Sequence, residues 1–152
     1  TVMDRDQAVM CATDMSLWHA LAIVPENEVS TAEARKVLPA TVSLKEAALQ
    51  AGRAALFVQG LERGDQQLVC AACQDVLHEP WRKALIPQYS RLKDACEANA
   101  VPLWISGSGS TMLAISRDRS QLESMQAWVR KEMGLDSRLT NPDREGLQIF
   151  HE

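Results

Sequence analysis

The chain predicts an α+β fold: a four-stranded antiparallel sheet in β-α-β-β-α-β order, with extra helices inserted in the first crossover. Three observations carry this. Short apolar runs bounded by turn residues, near 17–24, 102–106 and 111–116, read as strands. Between the first and second run lie several segments of helical period, and between the second and third only a tight glycine-bearing loop. One more helical segment and a weakly alternating tail follow. That order is the ferredoxin-like arrangement, with the helices expected over one face of the sheet.

The elements follow in sequence. Residues 1–14 show no clean period, so 1–16 are expected to be a lead-in or junction and 17–152 the domain proper. The run Leu17 to Val24 ends at Pro25-Glu26-Asn27. Ser30-Thr31-Ala32-Glu33 is a capping box, and Pro39 stops the brief helix it opens. Ser43-Leu44-Lys45-Glu46 is a second one. Leu44, Ala47, Ala48, Ala51, Ala55, Val58 and Leu61 then recur at helical spacing until Gly64, and this Ala-rich face predicts a central, well-buried helix. Asp65 caps the next helix, with Leu68, Val69, Ala72 and Cys73 inward. Pro87 suits the first turn of a helix carrying Leu92, Ala95 and Cys96. Ser120-Gln121-Leu122-Glu123 reads as a third capping box, opening a helix that Gly134 ends. The last strand is predicted near 145–150.

Composition narrows the function classes. A 152-residue chain is long enough for one domain with a sizeable core. Its net charge of −4 leaves no basic footprint for nucleic acid. No apolar run approaches the roughly 20 residues of a membrane span, and the start lacks the basic-then-apolar pattern of a signal peptide. Cys70 and Cys73 form a CxxC with no second pair to complete a zinc site, so these two, Cys11 and Cys96 are expected to be free thiols of a cytoplasmic protein.

Candidate chemistry lies in three places. The stretch Ile105-Ser-Gly-Ser-Gly-Ser-Thr-Met-Leu-Ala-Ile115 puts Gly107 and Gly109 two apart in a polar loop with Ser106 and Ser108. Such a loop is either an anion-binding nest or a tight strand connection. It is not a P-loop, because no Lys-Ser/Thr pair follows the glycines. Thr31 and Arg35, four apart, share a helix face beside a helix N-terminus, where they either hold an anion or leave Arg35 to pair with Glu33 or Glu28. Arg82 follows His78-Glu79-Pro80-Trp81 and either stacks on Trp81 or takes a carboxylate or phosphate bidentately. His19 reads as a core or edge strand residue and His78 as a helix-end cap. No catalytic residue and no metal-ligand set is assigned within the chain.

Three segments in fixed order carry a resemblance: Val29-Ser-Thr-Ala-Glu-Ala-Arg-Lys-Val-Leu-Pro39, Asp75-Val-Leu-His-Glu-Pro-Trp-Arg-Lys-Ala-Leu-Ile-Pro87 and Ile105-Ser-Gly-Ser-Gly-Ser-Thr-Met-Leu-Ala114. Over about 17–150 the chain resembles the carboxy-terminal half of the homoserine kinases, within the GHMP small-molecule kinase superfamily. The resemblance implies ATP-dependent phosphorylation of the homoserine hydroxyl, giving O-phosphohomoserine on the route to threonine. It implies substrate contacts from Thr31, Arg35, Arg82 and Gly107, and an active-site loop of Ser106, Ser108 and Gly109. It also implies ATP and magnesium, bound mainly by an amino-terminal domain. That domain's "P-x-x-x-G-L-G-S-S" loop does not occur here, so the chain is expected to be an inactive fragment needing its amino-terminal partner. Ser110 stands where the family usually has Pro, and residues 1–14 do not match the usual interdomain stretch. Homodimerisation is left open. So is a different class: a non-catalytic ferredoxin-like amino-acid-binding or dimerisation module using the same arginines.

Overall fold

The computed structural model describes residues 2–4, 6–9 and 14–143. Two short strands come first, β1 (Val2–Asp4) and β2 (Gln7–Val9), paired antiparallel as a hairpin apart from the main sheet, where no periodic element was expected. Then follow β3 (His19–Val24), α1 (Thr31–Lys36), α2 (Leu44–Arg63), α3 (Gln66–Ala72), α4 (Glu79–Arg82), α5 (Tyr89–Ala98), β4 (Leu103–Ile105), β5 (Met112–Ser116), α6 (Arg119–Trp128) and β6 (Asp136–Thr140).

The sheet order is β4-β5-β3-β6, antiparallel throughout, with the expected helices in the β3–β4 crossover. Its register sets Leu21 opposite Ala114 and Leu139, and Ile105 opposite Met112. Alternation along the strands sends Leu21, Ile23, Leu103, Ile105, Met112 and Ala114 to a core shared with α5 and α6. Ala20 and Ile115 point the other way, into a second core with Trp18, Leu61, Val69 and Cys73. Helices therefore cover both faces, not one. Burial on both sides is why β3 and β5 read as continuous apolar runs.

The predicted strand near 145–150 lies outside the described residues, and the fourth strand of the sheet is Asp136–Thr140. Gly134, at φ 64°, closes the π turn that extends α6 (Val129–Met133), and the chain turns directly back along β3. The cap of α6 is also shifted. Asp118 accepts the Ser120 N–H at 2.9 Å, leaving Glu123 free to pair with Arg119 at 2.9 Å, so Ser120 and Glu123 form no capping box. The boxes at Ser30 and Ser43 form as expected.

The largest difference concerns α2. Only Gly60 and Leu61, near its C-terminal end, are buried, while Leu44 is 86% exposed. Its buried side chains lie at that end, while Phe57 and Arg53 make partly exposed contacts further back. A Cβ on Gly60 would stand 2.7 Å from Val69 Cγ2, so the missing side chain permits α3 to approach, and the Trp18 indole donates to the Leu61 carbonyl at 3.0 Å. Alanines supply little apolar area to draw the rest inward.

Candidate active site

Arg82 is the last residue of α4, a single turn started by Pro80 near its N-terminus, where a missing N–H costs nothing. Its Nη1 donates to the Gly107 carbonyl at 2.8 Å. The same guanidinium keeps Nε buried with no hydrogen-bond partner among the described residues. The stacking on Trp81 considered from the sequence does not occur; the cation–π contact seen is Arg91 over Trp128, at 5.6 Å. Arg82 is thus committed to the loop by one nitrogen and has donor capacity left over.

The loop between β4 and β5 is closed by Ser106 N–H donating to the Thr111 carbonyl at 2.9 Å. Gly107 and Gly109 have φ of 63° and 95°, values that suit glycine. Their surroundings differ. A Cβ on Gly109 would lie 2.9 Å from Ile86 Cδ1, whereas one on Gly107 would meet nothing within 4 Å. Gly109 lets the loop settle onto the segment after α4, and Gly107 presents its backbone to open space.

Beneath Arg82 lies a group that sequence reasoning passed over. Glu79 is 7% exposed, yet its carboxylate is fully partnered. Oε1 accepts the Ile105 N–H at 2.9 Å, Oε2 accepts the Tyr89 hydroxyl at 2.6 Å, and Lys93 Nζ stands 3.6 Å away. Lys93 in turn donates to the Cys73 and Leu103 carbonyls at 2.9 and 2.8 Å. Burial, then the bond and charge of Glu79, push the Tyr89 phenol far above its ordinary range. The signal available in the sequence was an acidic residue directly before a helix-starting proline, upstream of the chain's single tyrosine.

A cleft of about 480 Å³ opens between this assembly and α2, lined by Arg53, Phe57, His78, Arg82, Trp104 and Gly107 among others. Phe57 and Trp104 meet edge to face, with ring centroids 5.5 Å apart, and form its apolar wall. Arg53 donates to the Gln74 carbonyl. His78 caps nothing; its Nδ1 pairs with Asp75 Oδ2 at 3.2 Å. Burial pushes the Asp75 carboxyl up, but bonds from the His78 backbone and ring and the Leu77 N–H outweigh it and hold it below the usual range.

The structure brings Arg82, Gly107 and Gly109 together, with Ser106 and Ser108 in the same loop. Thr31 and Arg35 lie elsewhere, exposed on α1, and do not line this cleft. Among the described residues Arg35 forms no ion pair with Glu33 or Glu28; Glu33 is taken up by the Ser30 cap. His19 meets Asn141 at 2.8 Å, at the far end of β3. Cys73 and Cys96 are buried free thiols, and burial pushes both up to about 12. Cys11 is outside the described residues. No described helix is long and apolar enough to cross a membrane.

Known proteins share this architecture. The chain is similar to homoserine kinase of Nostoc punctiforme, 36% identical over 143 residues, a match covering 88% of this chain and 47% of that protein. It is equally similar to homoserine kinase of Synechococcus sp., 36% identical over 144 residues and covering 89% and 47% respectively. The crystal structure of homoserine kinase from Cytophaga hutchinsonii superposes with a TM-score of 0.76 at 29% identity, over 87% of this chain and 43% of that one. The chain spans about half the length of these relatives. The family described as GHMP kinases C terminal matches residues 57–134, a stretch holding α3 to α6, Arg82 and the glycine loop, and the chain belongs to that family.

Proposed function

We propose that this chain is the substrate-side half of a homoserine kinase, which transfers the γ-phosphoryl group of ATP to the side-chain hydroxyl of homoserine. The observation that carries this reading is 36% identity to homoserine kinases sustained over 88% of the chain. In this reading residues 17–152 form the carboxy-terminal domain and 1–16 its junction with an amino-terminal half that binds ATP and magnesium.

Phosphoryl transfer is mostly positioning and charge stabilisation, and orienting the acceptor is the share left to this half. Homoserine carries a carboxylate, and Arg82 offers a planar donor fork of which Nη1 is committed to the Gly107 carbonyl. Thr31 and Arg35, on α1 and outside this cleft, enter the reading as substrate contacts by their place in the resemblance, and Arg35 has no ion pair among the described residues. The loop of Ser106, Gly107, Ser108 and Gly109 borders the reacting hydroxyl. The 152-residue chain alone is expected to form no ADP with homoserine.

Genetic complementation tests the reading. The intact protein, chain and amino-terminal half together, should restore growth without threonine to a strain lacking homoserine kinase, and the Arg82→Ala form should not. Failure of the intact, soluble protein to restore growth would contradict the assignment.

A further inference from the structure

We infer that Glu79 is a positioning residue for the acceptor clamp, acting through Arg82 and the glycine loop without touching substrate; the inference rests on the homoserine kinase reading. Glu79 and Arg82 stand at the two ends of one helical turn, and each reaches across to the same short stretch of chain. Glu79 Oε1 accepts the Ile105 N–H at 2.9 Å and Arg82 Nη1 donates to the Gly107 carbonyl at 2.8 Å. Two bridges fix both the height and the rotation of α4 against the loop, where a single one would leave a pivot.

The Glu79 end of this pair is the anchored one. Its second oxygen holds the Tyr89 hydroxyl at 2.6 Å, and Lys93, 12% exposed, balances its charge. A buried ion pair adds little net stability over apolar side chains of similar shape. What this carboxylate supplies is direction. Among the described residues β4 is an edge strand, so the outward Ile105 N–H has no strand partner there, and Glu79 ties that one group to the turn that carries Arg82. Loosening the tie lets the guanidinium leave its place at the cleft while the fold persists.

Steady-state kinetics of the intact kinase, with homoserine and ATP varied separately, test this in Glu79→Asp, Glu79→Gln, Arg82→Ala and the double variant Glu79→Asp/Arg82→Ala. Aspartate keeps the charge for Lys93 but withdraws the carboxylate from Ile105, whereas glutamine keeps the reach. Glu79→Asp should raise the homoserine KM about tenfold or more, with the ATP KM within about twofold and Glu79→Gln within about threefold of the parent. In the Arg82→Ala background Glu79→Asp should add less than about twofold. Equal damage to both KM values, or a full tenfold effect without Arg82, overturns the positioning role while Arg82→Ala still raises the homoserine KM. If Arg82→Ala leaves that KM unchanged, the clamp itself is wrong and the positioning role falls with it. Should Glu79→Asp not fold, Tyr89→Phe releases the other carboxylate oxygen: a homoserine KM raised about threefold at constant ATP KM supports the role, and no change overturns it.

Discussion

Arg82 Nη1 donates to the carbonyl of Gly107 at 2.8 Å, so the last residue of a single helical turn holds the mouth of the loop between β4 and β5. Lysine cannot reproduce this, because a point-charge ammonium lacks the fork that leaves one nitrogen for the loop and others for a carboxylate. In the intact enzyme Arg82→Lys is expected to cost on the order of 2–5 kcal/mol in homoserine binding and to leave ATP binding nearly unchanged. Titration of each substrate separately checks this.

Arg35→Lys should weaken homoserine in the same way without altering stability, because Arg35 is exposed and forms no ion pair among the described residues. Its denaturation midpoint should correspond to a change within about 0.5 kcal/mol. Retained homoserine affinity would return Arg35 to the surface and leave Arg82 as the sole arginine of the clamp.

The two glycines of the loop should separate by experiment. Gly109→Ala places a Cβ 2.9 Å from Ile86 Cδ1 and 3.3 Å from Ile105 Cγ2, and overpacking of this kind costs about 1–3 kcal/mol on top of the positive φ. Gly107→Ala meets no neighbour within 4 Å, so only the left-handed backbone penalty of about 1–2 kcal/mol applies. Urea denaturation should rank Gly109→Ala as the less stable variant. Equal midpoints would contradict the packing of the loop on Ile86.

Alkaline pH should destabilise the fold. Burial raises the thiols of Cys73 and Cys96 from 9.0 to about 12, and raises the Tyr89 phenol as well. A folded-state value above the unfolded one means the stabilisation is fully present below about pH 9 and is lost as pH rises towards 12. Between those limits the unfolded chain gives up its protons first. The urea midpoint should therefore fall between about pH 8 and about pH 10.5, and native Cys73 and Cys96 should resist thiol reagents at the lower pH.

Trp18, 1% exposed, ties β3 to the end of α2 through its bond to the Leu61 carbonyl. Trp18→Phe removes one of that carbonyl's two donors, the Gly64 N–H at 3.2 Å being the other, and leaves a void, at a cost of about 1–3 kcal/mol by chemical denaturation. A loss below about 1 kcal/mol would show that α2 is held without it.

Much of the fold was legible because its signals are local. β3, β4 and β5 are short apolar runs, and Ser30 and Ser43 each find their glutamate three residues on. β6 was hidden because Asp-Ser-Arg-Leu-Thr carries one large apolar residue, and its pairing is set by β3, more than a hundred residues away. The cap of α6 was hidden because Ser120 and Glu123 satisfy the pattern while Asp118, two residues earlier, takes the position. The loop glycines and Arg82 were visible as residue types, but their contact spans 25 residues and no periodicity encodes it. Glu79 was invisible for the same reason: its partner Ile105 is fixed by the edge of the sheet. The Ala-rich spacing of α2 pointed to burial, whereas the residues it buries are Gly60 and Leu61, at its C-terminal end.

The most direct test of the account is ADP formation by the intact kinase across a panel of small hydroxyl acceptors. Saturable turnover is expected with homoserine, far weaker turnover with a hydroxyl compound lacking the carboxylate, and a raised homoserine KM in Arg82→Ala at an unchanged ATP KM. Turnover that does not require homoserine, or that is equal for an acceptor without a carboxylate, would contradict it.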